Sequence, residues 1–83
     1  MKHEIKCWPE HFRVSWCGDK LFEIRKDDRN YQERDEVVLQ EYDPVKREYT
    51  GREIEGWITY VTDFEQKPGF VVFGYNERCR TET

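Results

Sequence analysis

The segment Gly18–Arg25, GDKLFEIR, holds the most chemically specific spacing in the chain. Lys20, Glu23 and Arg25 set one carboxylate between two cations. If this segment is extended, the two-residue period puts Glu23 and Arg25 on one face, while Lys20 sits at the lip after Gly18 and can swing inward on its long stem. A guanidinium offers a phosphate a bidentate fork, an ammonium adds a point charge, and a carboxylate accepts from a base or sugar edge. The same three groups could instead satisfy one another as an ion-pair network fixing helix to strand, and both readings stay open at this level. Leu21, Phe22 and Ile24 are interleaved with them, and the alternation assigns Phe22 and Ile24 to the core and the charged residues to the opposite face.

Other reactive side chains are sparse. Cys7, Cys17 and Cys79 are odd in number and lack any CxxC spacing, which suits free thiols in a reducing compartment. A zinc set could be drawn from His3, Cys7, His11 and Cys17, but the paired-knuckle spacing is missing, so no metal is expected and the two histidines are read as surface residues. No cofactor is implied. Trp8, Tyr31, Trp57 and Tyr75 could stack on unpaired bases, with Trp8 favoured because it borders a helix start, whereas Phe12, Trp16, Phe22, Phe70 and Phe73 are assigned to the core.

The elements that must position these groups follow from pattern. A strand at His3–Lys6 leads into a helix at about Pro9–Trp16, where proline costs nothing in the first turn. Phe12 and Trp16 share one helical face, and Gly18 stops the helix. A strand over Leu21–Lys26 follows, then the polar turn-forming run KDDRNYQERD and a β-branched strand at Glu36–Tyr42. Glu53–Thr62 alternates with Ile54, Ile58 and Tyr60 on one face and Trp57 and Val61 on the other, and Gly56 within it marks a bulge or bend. The last strand is Phe70–Tyr75. One domain over residues 1–76 and a frayed polar tail over 77–83 are expected. Short strands with a single helix between the first two imply an α+β fold, a small mixed β-barrel of five to six strands.

Charge narrows the partner. Eighteen acids against fourteen bases give a net charge of −4, where grip on long duplexes calls for a basic stripe. Between Arg13 and Arg34, however, six bases (Arg13, Lys20, Arg25, Lys26, Arg29, Arg34) meet five acids, whereas from Asp35 onward eleven acids meet six bases. A locally basic groove on an acidic body fits short single-stranded RNA or one nucleotide better than a helix. No apolar run is long enough to span a membrane and no signal-peptide core is evident, so a cytoplasmic monomer without a membrane partner is expected.

The run Gly18-x-Lys20-x-x-Glu23-x-Arg25 resembles the G-x-K-x-x-E-x-R signature of the ASCH domains, a branch of the PUA-like superfamily, and it falls where that family has it, after the first strand and helix. WPEHF, FEIRKDDR, EYDP, YTGREI and KPGFVVFGY are similar in order to the blocks of a compact, uncharacterised bacterial and phage branch. The resemblance implies a PUA-like barrel whose motif lines a cleft between barrel and first helix. It implies an RNA- or nucleotide-binding module, with Lys20, Glu23, Arg25, Trp8 and Arg29 as ligand contacts. An amidohydrolase branch acts on acetylated cytidine with a lysine, a threonine and a glutamate. Lys20 matches that lysine, but Glu23 stands where the threonine belongs, so catalysis, which would fall to Lys20 and Glu23, is the alternative, beside a protein-interaction role for the acidic half.

Overall fold

The computed structural model describes residues 1–82, and Thr83, the end of the expected tail, lies outside the described residues. Strand β1, Lys2–Cys7, alternates strictly: His3, Ile5 and Cys7 are buried and the residues between them are exposed. His3 is therefore an interior residue, contrary to its reading as a surface one, and its Nε2 lies 2.8 Å from Asp35. Helix α1, Pro9–Trp16, follows Trp8, which is extended, and it buries Phe12 and Ser15. Gly18, at φ +83°, receives the chain as the helix unwinds, its N–H donating to the Ser15 carbonyl.

Strands β2 (Phe22–Lys26), β3 (Glu36–Asp43), β4 (Glu48–Thr62) and β5 (Phe70–Thr81) join β1 in one five-stranded sheet ordered β1-β3-β4-β5-β2. β1 runs parallel to β3, and every other pairing is antiparallel, so the sheet is mixed as expected. The sheet curls into a half-barrel around Ile5, Phe12, Leu39, Ile54, Ile58 and Phe73. Among the described residues its two edge strands, β1 and β2, do not pair. Two arginines cross the seam instead: Arg25 Nη2 donates to the Lys6 carbonyl at 3.1 Å and Arg29 Nη1 to the Glu4 carbonyl at 2.7 Å.

Two irregularities interrupt the pairing of β4 with β5. At the first, between Glu55 and Gly56, a Cβ on Gly56 would lie 2.1 Å from the Asn76 carbonyl oxygen, so only glycine permits that approach of β4 to β5. At the second, between Ile58 and Tyr60, one extra residue reverses the alternation. Tyr60 thus faces outward, not with Ile54 and Ile58, and Val61 packs on the core. β5 also continues to Thr81, paired with Glu53 of the long β4, where a frayed tail was expected after Asn76.

The largest departure concerns β2. Its alternation is as read, but the faces are exchanged: Glu23 is buried, while Phe22 and Ile24 are 44% and 57% exposed. Residues opposite each other in an antiparallel pair share a face, and Glu23 and Arg25 stand opposite Phe73 and Val71, both buried. That register is locked at its ends by Tyr75 N–H to the Leu21 carbonyl and Asp27 N–H to the Gly69 carbonyl. Phe70, also assigned to the core, lies on the outer face opposite Lys26.

Candidate ligand-binding cleft

Inverting β2 brings its charged residues to the mouth of the half-barrel, beneath the start of α1. Glu23 is only 4% exposed, yet each of its oxygens is paired. Lys20 Nζ donates to Oε2 at 2.9 Å, and Arg25 donates to Oε1 through Nη2 at 2.8 Å and Nε at 3.1 Å. Such burial is tolerable because charge-assisted bonds replace the lost hydration. Lys20 is held in turn through its main chain, whose carbonyl accepts from the Tyr75 hydroxyl at 3.3 Å.

A cleft of about 350 Å³ opens above this network. Lys20 and the stretch Phe22–Arg25 form one wall, and Cys7, Trp8 and His11 form the other. Of the five expected contact residues, Lys20, Glu23, Arg25 and Trp8 come together here, with Trp8 46% exposed. Arg29 does not line the cleft, because its guanidinium is spent on the seam. Tyr31 and Tyr75, read as rings available for stacking, are buried and do not line this cleft, whereas Trp57 remains partly exposed.

Sequence reasoning passed over two residues of the second wall. Cys7 ends β1 on its buried face and His11 follows Trp8 in the first turn of α1, so both are carried to the cleft by the strand-to-helix corner. The signal was Trp8-Pro9 itself, which fixes where the corner lies. Cys7 is no nucleophile in this setting. Burial, reinforced by the negative charge of Glu23, pushes its thiol up to about 11, well outside the range of activated cysteines. Among the described residues no three His, Cys, Asp or Glu side chains gather to hold a metal ion.

A second buried carboxylate, Glu41, carries its own counter-ion. Glu41 accepts two bonds from Arg52, each 2.9 Å, and one from Thr50 at 2.7 Å. The Arg52 hydrogen bonds, joined by that of Thr50, hold the Glu41 carboxyl below its usual range against the opposing effect of burial. The same guanidinium lies 5.0 Å from the Trp16 ring and 5.5 Å from Phe12, clamping α1 onto the sheet.

Residues 2–75 match the family model described as Domain of unknown function (DUF3850). The chain belongs to this family. The DUF3850 match takes in both walls of the cleft and ends at Tyr75, so the last turn of pairing between β4 and β5 lies beyond it. A curated relative, the "Uncharacterized 12.9 kDa protein in GpA 3'region" of Escherichia phage P2, is 43% identical over 61 residues, which are 74% of this chain. They are 54% of the relative, so the chain spans about half the length of that phage protein. The relation places the chain in a family with a phage member, as its resemblance to a bacterial and phage branch led one to expect.

Proposed function

We propose that this DUF3850 domain is an ASCH-like, PUA-like binding module that takes a nucleotide or a short single-stranded RNA into the cleft between β2 and α1. The observation that carries the reading is the pairing of buried Glu23 with two cations at the wall of the cleft. Oε1 accepts twice and Oε2 once, so most of the carboxylate's capacity is spent on holding the two cations in place. Two cations around one buried carboxylate leave a local excess of positive charge, and Arg25 Nη1 donates to no acceptor among the described residues. That spare donor and the remaining Lys20 hydrogens suit a phosphate, while Trp8 offers a ring face for a base. In this reading Glu23 positions the two cations, and the ligand's base is left mainly to other groups.

Hydrolysis is the weaker alternative. Glu23 occupies the position of the threonine in the amidohydrolase branch and is tied up by both cations, and the cleft's one thiol is held protonated by burial. Binding is tested by fluorescence anisotropy with labelled single-stranded RNA of a few nucleotides at two salt concentrations. Micromolar affinity with a shallow salt slope is expected, as for one to three phosphate contacts, and both Arg25→Ala and Trp8→Ala weaken it. No binding, or binding indifferent to both substitutions, overturns the reading.

A further inference from the structure

Glu23 is largely spent on its two cations, and the main chain of β2 is placed to read the ligand's base. Among the described residues β2 is an edge strand whose only ladder partner is β5. The bonds from Tyr75 N–H to the Leu21 carbonyl and from Asp27 N–H to the Gly69 carbonyl fix which groups point inward along the sheet. They place the peptide groups of Leu21, Glu23, Arg25 and Asp27 on the β5 side, so those of Phe22 and Ile24 point the other way. That way is the cleft, since Phe22 and Ile24 both line it, opposite Trp8 and His11. The Phe22 carbonyl and the Ile24 N–H flank one residue on the same edge, an acceptor beside a donor.

We propose that this bare edge reads a nucleobase: the Phe22 carbonyl accepts from a base N–H, the Ile24 N–H donates to the neighbouring ring nitrogen or carbonyl, and Trp8 covers the ring. The inference rests on the anion-binding reading above and adds the ligand class, a compound that carries both a phosphate and a base. An extended peptide could also pair with a bare edge. The seam argues against it. Arg25 bridges to the Lys6 carbonyl and Arg29 to the Glu4 carbonyl, so the edge is open only around Phe22–Ile24, too short for a strand and long enough for one planar ring.

Proline is the substitution that isolates this claim. It is tolerated at an edge-strand position whose N–H takes no part in the ladder, so Ile24→Pro deletes the donor and spares the β2–β5 bonds. Calorimetric titrations use adenosine 5′-monophosphate and ribose 5-phosphate on wild type, Ile24→Pro and Ile24→Ala. Wild type should bind the nucleotide about tenfold more tightly than the sugar phosphate, as expected for base hydrogen bonds and stacking. Ile24→Pro should erase that difference, and Ile24→Ala, which trims a cleft-lining side chain but keeps the N–H, should still prefer the nucleotide to the sugar phosphate. Should Ile24→Pro fail to fold, the amide spectrum of the wild type decides, because the Ile24 amide must shift with the nucleotide and not with ribose 5-phosphate. Equal affinity for the two ligands overturns base reading and leaves the anion cleft standing. Binding of neither overturns both proposals. An acidic extended peptide that binds more tightly than the nucleotide and protects the Phe22 and Ile24 amides from exchange shows a strand site and overturns base reading.

Discussion

Removing Arg25 should cost the fold a measurable but survivable amount, and the geometry sets how much. Its side chain is 27% exposed and that of Glu23 only 4%, so the pair lies between a surface ion pair, at about 0–1 kcal/mol, and a fully desolvated one, where loss of a partner costs roughly 3–5 kcal/mol. In Arg25→Ala the Oε1 oxygen loses two donors and the Lys6 carbonyl loses its seam bond. Lys20 stays on Oε2, and water can enter the cleft to replace the rest. A loss of about 2 kcal/mol follows, a large fraction of the roughly 4–12 kcal/mol expected of a domain this size, yet not enough to unfold it. Urea denaturation of wild type, Arg25→Ala, Glu23→Gln and the double variant measures the loss and the coupling between the two residues. A loss below about 0.5 kcal/mol would show that Glu23 is hydrated despite its burial. One above about 4 kcal/mol would show that water does not reach the network and that the three charges serve as scaffold alone.

The exchanged faces of β2 make Phe22→Ala cheap, below about 1.5 kcal/mol in denaturation, whereas Phe73→Ala on the opposite strand should cost about 3–5 kcal/mol. Comparable costs would contradict the register. In a thiol-labelling time course near neutral pH, exposed Cys17 and Cys79 should react on the folded protein and Cys7 only as fast as the protein unfolds, because its thiol lies near 11. Early modification of all three thiols would show that the cleft floor is open. The Glu41 carboxyl titrates below its ordinary 4.5, so its pairing contributes fully above that pH and is lost as pH falls through the lowered value. Glu41→Gln should therefore lie below wild type in stability at neutral pH and converge on it in acid, and a constant gap across that range would refute the linkage.

The sequence carried the element order because its signals there are local and mutually consistent. Pro9 and Gly18 bracket α1, and Gly56 marked the place of a register shift, although the extra residue there, Arg78, lies on β5. The faces of β2 were not legible for a specific reason. Alternation gives parity but not sign, and assigning the sign by hydrophobicity fails where a buried carboxylate brings its own two counter-ions. The fate of Tyr60 was hidden by a bulge at Ile58–Tyr60 within a run of β4 that holds no glycine or proline. Lys20, Glu23, Arg25 and Trp8 were legible as a set from spacing and resemblance, while the Glu41–Arg52 brace joins residues eleven apart across a hairpin and leaves no short-range pattern. Arg29 was misplaced because charge alone cannot distinguish a cleft residue from one stitching a seam.

A crystal structure of the protein grown with a nucleoside 5′-monophosphate tests the central claim most directly. It should place the phosphate within hydrogen-bonding distance of Lys20 Nζ and Arg25 Nη1, the ring against Trp8, and Glu23 still paired with both cations. A nucleotide bound elsewhere, or one that breaks the Glu23 pairs to engage that carboxylate itself, would contradict it.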